Sequence, residues 1–228
     1  MTRTRVKICG ICRPQDAIAA AQAGADAVGI VFDTASPRSV SIEQATQIVA
    51  ALPPFVLPAA LFVNSPADKI RSIFAAVPFA SVQLQGDESP EFVAELKPLR
   101  VVKALHLKKG NITDLEKWRS SINSLGLTNL IGLQLDSATG GSVRGGTGIA
   151  NDFDALHAMQ LAGNFSGLPP IIVAGGLTPD TVGAVVRFLH PFAVDVSTGV
   201  ELSKRQKSAD KIAAFIRAVR DADANQSA

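Results

Sequence analysis

The chain has 228 residues, 47% hydrophobic and 18% charged, with a net charge of +2, so it can bury a large core and is not a disordered chain. No basic cluster accompanies that small charge, which excludes nucleic acid or an anionic membrane as the main partner. No apolar leader precedes the first strand, no apolar run approaches the roughly 18 residues of a membrane span, and two cysteines are too few for a disulfide framework; a cytoplasmic protein is expected.

Strand and helix signals then alternate almost from end to end. The first strand, Val6-Lys7-Ile8-Cys9-Gly10, is a β-branched run that ends in a thiol, and a helix follows from Pro14 through Ala23. Ala27–Phe32 reads as the second strand, and the polar loop after it holds Ser36-Pro37-Arg38-Ser39. Ser41 caps a helix to about Leu52. The third strand is Ala59–Val63, and the next helix opens with Ser65 as cap and Pro66 in the first position. Ser81–Leu84 leads out through Gln85-Gly86-Asp87 to a helix from about Pro90 to Leu96.

The fifth strand is Val101–Ala104, with a helix over Asn111–Ile122. Leu130–Leu135 ends at Asp136, and a Gly-rich loop from Ser137 to Gly148 precedes a helix around Asp152–Leu161. Ile171–Ala174 runs through Gly175-Gly176 into a helix opened by Thr178 and Pro179. Ala193–Val196 is followed by Ser197-Thr198-Gly199, and the last helix covers about Ser208–Ala222, leaving a frayed tail, Asp223–Ala228.

About eight strand–helix units close a barrel. No linker rich in Pro, Ser or charge divides the chain, so the expected architecture is α/β: a single (βα)8 TIM barrel over residues 1–228. A doubly wound open sheet has the same periodicity and stays open as an alternative.

In a barrel, chemistry collects where strands end and βα loops begin. Cys9, Arg38, Gln85, Asp136, Gly175-Gly176, Asp195 and Ser197-Thr198-Gly199 all follow or end predicted strands. The seventh and eighth strand ends look like a phosphate cradle, with glycines that admit an anion to backbone N–H groups and hydroxyls from Ser197 and Thr198 as further donors. Ordinary turn chemistry reads the same loops equally well taken singly. Cys9 is either a small buried hydrophobe or a reactive thiol. Alternation places Lys7 on its face, where an ammonium favours thiolate and lowers the pKa. Asp136 is either a turn-former or the acid of an acid–base pair with Cys9. Arg38 suits a carboxylate or phosphate, or simply faces solvent. Cys9 and Cys12 form a C-x-x-C pair, compatible with redox chemistry; the three scattered histidines give a zinc site little support.

The chain resembles the phosphoribosylanthranilate isomerase family of tryptophan biosynthesis. The likeness runs from Val6 to about Glu201, through Lys7-Ile8-Cys9-Gly10, Ser36-Pro37-Arg38, Leu61-Phe62-Val63-Asn64, Lys103-Ala104, Leu135-Asp136-Ser137, Gly145-Gly146-Thr147-Gly148, Ala174-Gly175-Gly176-Leu177-Thr178-Pro179 and Asp195-Val196-Ser197-Thr198-Gly199-Val200-Glu201. The resemblance implies a (βα)8-barrel isomerase that converts N-(5-phosphoribosyl)anthranilate to the aminodeoxyribulose phosphate by an Amadori rearrangement. It implies Asp136 as general acid, Cys9 as general base, Arg38 on the anthranilate carboxylate and Asp195 as a substrate-positioning residue. Gly175, Gly176, Ser197, Thr198 and Gly199 would hold the phosphate. The implied partner is a small phosphorylated substrate, in a monomer or homodimer, without metal or organic cofactor.

The chain departs from the family in having Gln85 where members often carry His. It also reads Ile149-Ala150-Asn151-Asp152-Phe153 after the Gly-rich loop, and has Cys12 where Thr is common. Other readings are an aldose–ketose isomerase of histidine biosynthesis, which would end its first strand in Asp, a thiol-redox protein using Cys9 and Cys12, and an inactive barrel kept for binding.

Overall fold

The computed structural model describes residues 3–107, 113–137 and 153–225. Eight strands, β1 (Arg5–Ile8), β2 (Ala27–Val31), β3 (Leu57–Phe62), β4 (Ser81–Leu84), β5 (Val101–Leu107), β6 (Leu130–Ser137), β7 (Ile171–Val173) and β8 (Ala193–Val196), close into a barrel in chain order. Every neighbouring pair is parallel, and β8 returns to β1 with Lys7 beside Asp195 and Ile8 beside Val196. Closure removes the open-sheet alternative.

The helices are α1 (Pro14–Ala23), α2 (Ile42–Ala50), α3 (Ala67–Ala76), α4 (Pro90–Glu95), α5 (Thr113–Ser124), α6 (Phe153–Leu161), α7 (Pro179–Leu189) and α8 (Ala209–Ala224). Their starts follow local chemistry. Pro14, Pro90 and Pro179 occupy first-turn positions, where the missing N–H removes no bond. Ser41 closes a reciprocal capping box with Gln44.

Alternation sorts each strand's side chains. Val6, Ile8, Val28, Ile30, Ala60, Phe62, Val82, Leu84, Leu133 and Leu135 join the main hydrophobic core between strands and helices. Cys9, Val31 and Leu61 form a separate small cluster inside the barrel. The buried polar set Lys7, Gln83, Gln85, Gln134, Asp136 and Asp195 alternates with the outer core residues and therefore shares that interior.

Several elements differ from expectation. β3 starts at Leu57 and includes Pro58, which is tolerated beside the strand's first residue. Pro66 has ψ 147°, outside the helical range, so it precedes α3 instead of opening it, and Ser65 is not the cap. β5 and β6 run further than predicted, to Leu107 and Ser137. After β8 the chain makes a 3-10 turn, Thr198–Val200, and a small hairpin of β9 (Glu201–Ser203) and β10 (Gln206–Lys207) that sequence periodicity did not announce.

The expected fraying at Asp223 is corrected. α8 continues to Ala224, because the Asp223 carboxylate accepts from the Thr4 N–H at 2.9 Å and the Thr4 hydroxyl at 2.7 Å. Residues 226–228, the helix start at Asn111, Asp152, and the Gly-rich loop beyond Ser137 lie outside the described residues. Among the described residues no helix is long and apolar enough to cross a membrane.

Candidate active site

The C-terminal ends of the strands surround an open cavity of about 740 Å³. Cys9, Arg38, Gln85, Asp136, Gly175, Gly176, Asp195, Ser197 and Thr198 all line it. Gly199 does not; it stands behind the rim, where a Cβ would lie 2.0 Å from the Leu177 carbonyl oxygen, so it lets the loops after β7 and β8 pack together.

Cys9 directly follows β1, and its N–H donates to the Val196 carbonyl at 2.8 Å, tying the thiol-bearing residue to β8. Gly10 then turns the chain with φ +74°, and a side chain there would meet Arg38 Cδ at 2.5 Å. Inside the barrel, the Lys7 ammonium donates to Asp195 Oδ2 at 2.9 Å, and with the Cys9 sulfur it crowds the same face of Gly29. Burial works against the charge on Lys7, but Asp195 and Cys9 together outweigh it and its pKa is raised.

The expected depression of the Cys9 pKa is corrected. Burial pushes the thiol up, the Lys7 ammonium pulls it only part of the way back, and the net direction is upward. Lys7 is the cation nearest to hand for the thiol.

Asp136 is held from β4. Gln85 Nε2 donates to Asp136 Oδ2 at 2.9 Å, and His106, beside Asp136 in the β5–β6 register, has Nε2 3.0 Å from the Gln85 carbonyl oxygen.

Arg38 is not a solvated loop residue. Glu201 receives its Nε and Nη2, each at 2.7 Å, in a bidentate buried pair. Lys207 of β10 joins the same carboxylate at 3.1 Å and donates to the Ser197 carbonyl at 3.0 Å and hydroxyl at 3.3 Å. Burial raises the Glu201 carboxyl, but the Arg38 hydrogen bond and the charges of Lys207 and Arg38 more than reverse this, and its pKa is lowered. Burial lowers the Lys207 pKa despite Glu201.

Glu201 and Lys207 were not among the predicted site residues. Glu201 closes the Asp195–Glu201 run that carries the family resemblance, which was its one visible signal; Lys207 comes from the unforeseen hairpin.

The loop after β7 leaves room for backbone approach. Gly175 and Gly176 both have positive φ, 89° and 67°, and α7 begins three residues later. The C-x-x-C pair does not form a dithiol unit. Cys12 belongs to the outer core and its thiol donates to the Arg38 carbonyl at 3.4 Å, whereas Cys9 packs inside the barrel, and both are free thiols. Among the described residues no group of three or more His, Cys, Asp or Glu side chains is placed to hold a metal ion.

Comparison with known proteins bears directly on this cavity. The pattern of the family described as N-(5'phosphoribosyl)anthranilate (PRA) isomerase matches residues 6–218. A protein of Pseudomonas fluorescens (strain SBW25), named N-(5'-phosphoribosyl)anthranilate isomerase, is 44% identical over 97% of this chain and 98% of its own. The crystal structure of phosphoribosyl anthranilate isomerase from Thermotoga maritima superposes with a TM-score of 0.82 at 33% identity, covering 96% of this chain and 99% of that one. A further structure of the isomerase, complexed with reduced 1-(o-carboxyphenylamino)-1-deoxyribulose 5-phosphate, has a TM-score of 0.79 at 32% identity, with 96% and 99% covered. With a closed barrel, a buried thiol and a carboxylate on one cavity, and matches along nearly its whole length, the chain belongs to the N-(5'-phosphoribosyl)anthranilate isomerase family.

Proposed function

We propose that the protein isomerises N-(5'-phosphoribosyl)anthranilate to 1-(o-carboxyphenylamino)-1-deoxyribulose 5-phosphate, with Asp136 as general acid and Cys9 as general base. The observation that carries this reading is that β1 and β6 deliver a thiol and a carboxyl to a single cavity whose rim is the glycine and hydroxyl loops after β7 and β8. The acid protonates the furanose ring oxygen and opens the ring to a Schiff base. The base then removes the C2′ proton, and the enolamine tautomerises to the ketone. The raised Cys9 pKa suits removal of a carbon-bound proton, and Lys7 supplies the cation that lets the thiolate exist in a buried place.

Gly175, Gly176, Ser197 and Thr198 receive the phosphate, with Gly199 allowing their two loops to meet. Arg38, pinned at Nε and Nη2 by Glu201, offers Nη1 to the anthranilate carboxylate. Asp195 Oδ1 is buried without a hydrogen-bond partner among the described residues, and Asp195 lines the cavity, so it is a ready acceptor for a sugar hydroxyl. The protein acts in the cytoplasm as a monomer or homodimer; a Thermotoga maritima relative is described as dimeric.

The test is a fluorescence time course with freshly generated phosphoribosylanthranilate. Wild type should consume it rapidly, and Cys9→Ala and Asp136→Ala should each be slower by about 10²-fold or more. Folded wild-type protein with no decay above background would overturn the substrate assignment.

A further inference from the structure

We propose that Gln85 is a positioning residue for the general acid: its amide, oriented by Gln83, holds Asp136 through Oδ2 and stabilises the carboxylate left when the proton passes to substrate. The proposal rests on Asp136 being that acid.

Two strands supply the arrangement. β4 carries Gln83 and leads into Gln85, and β6 carries Gln134 and Asp136. β5 lies between them and places the small Ala104 beside Gln134, so little side chain intervenes. Gln83 Nε2 donates to Gln134 Oε1 at 3.2 Å and to Gln85 Oε1 at 3.1 Å, and Gln85 Nε2 donates onward to Asp136 Oδ2 at 2.9 Å. All three glutamines are buried, so water does not readily replace a lost donor.

The chain of bonds also assigns the amide ends. With Gln85 Oε1 occupied by a Gln83 N–H, the Gln85 amino group faces the carboxylate. A side-chain amide does not titrate near neutral pH, so Gln85 cannot take the proton that Asp136 must give to substrate. An N–H on a carboxylate favours its charged form, so this bond stabilises the carboxylate and fixes its position.

Among the described residues, Asp136 shares the cavity with Cys9, Asp33, Arg38 and Asp195; His106 lies beside it in the β5–β6 register, Lys7 stands by Cys9, and the Lys103 ammonium of β5 is bonded to the Leu84 and Gly86 carbonyls. β4 and β7 contribute only neutral side chains. His106 is engaged with the Gln85 carbonyl, so the same residue buttresses both neighbours.

The experiment titrates the Asp136 carboxyl by carbon-13 NMR, assigned with Asp136→Asn, and measures kcat and KM in wild type, Gln85→Leu and Gln85→Glu. Gln85→Glu keeps the side-chain volume and guards against a Leu variant that fails to fold. In Gln85→Leu the Asp136 pKa should rise by about one unit, with kcat down about tenfold and KM little changed. Gln85→Glu should raise it further, because two adjacent carboxyls share one proton. An Asp136 titration unmoved in both variants overturns the proposal. If Asp136→Asn is inactive while that titration is unmoved, the acid stands and only the role of Gln85 falls. If Asp136→Asn turns over at the wild-type rate, the acid assignment fails and the proposal goes with it.

Discussion

Gly29→Ala should displace Cys9, the proposed base, while leaving the barrel folded. Gly29 lies on β2, and its carbonyl accepts from Ile11 at 2.9 Å. A Cβ there would stand 2.7 Å from Cys9 Sγ, 2.9 Å from Lys7 Nζ and 3.1 Å from Lys7 Cε. Non-bonded heavy atoms rest at about 3.5–4.0 Å, so thiol and ammonium must each withdraw by roughly 1 Å. Lys7 Nζ ends a flexible side chain and Cys9 Sγ turns on its single χ1 bond, so the strain is relieved by moving these two groups instead of the backbone.

A misplacement of about 1 Å costs on the order of 10²-fold in rate. The overpacking costs about 1–3 kcal/mol, or a melting point lower by about 2–12 °C for a chain of this size. The assay pairs kcat/KM from the fluorescence time course with thermal melting. Gly132→Ala serves as control, because the atoms nearest its Cβ belong to Ile172, Pro170 and Val102, the first at 3.3 Å; it should lower the melting point without changing kcat. A folded Gly29→Ala protein with kcat/KM within about threefold of wild type would refute the packing argument.

Two further expectations concern stability. Glu201 is held below its ordinary 4.5 in the folded state, so its contribution is complete above that value and is lost as pH falls through the lower folded one. Glu201→Gln should therefore be less stable than wild type at pH 7 but lose less on acidification, read as urea midpoints from about pH 6 to about pH 3; parallel acid slopes would count against it. Asp223→Ala removes both bonds to Thr4 and should cost about 1–3 kcal/mol with turnover unchanged. An unaltered urea midpoint would show that the N-terminal strand is held by other contacts.

Much of this fold is legible from local signals. α1, β4 and β8 fall on the predicted residues because Pro14, Gly24, the Gln85-Gly86-Asp87 exit and Ser197-Thr198-Gly199 mark their ends within a few positions. Cys9 and Asp136 are legible as strand-end residues for the same reason. What sets their chemistry is not local. Arg38 and Glu201 are 163 positions apart, and Gln85 and Asp136 are 51 apart; only closure of the barrel makes them neighbours. The alternation that put Lys7 beside Cys9 was sound, yet it carries no measure of desolvation, and burial decides the direction of the thiol's pKa.

The pairing of β1 with β8 joins the beginning of the chain to its end, and Lys7 reaches Asp195 across 188 positions. Chains are made from the N-terminus, so Cys9 leaves the ribosome well before Asp195 and Lys207, which help to set its electrostatic surroundings. A nascent chain that has not yet produced Asp195, or the hairpin bearing Lys207, holds Cys9 and Lys7 without the burial and the ion pair that fix their setting in the closed barrel. Sealing the barrel and fixing the surroundings of the thiol are therefore one event.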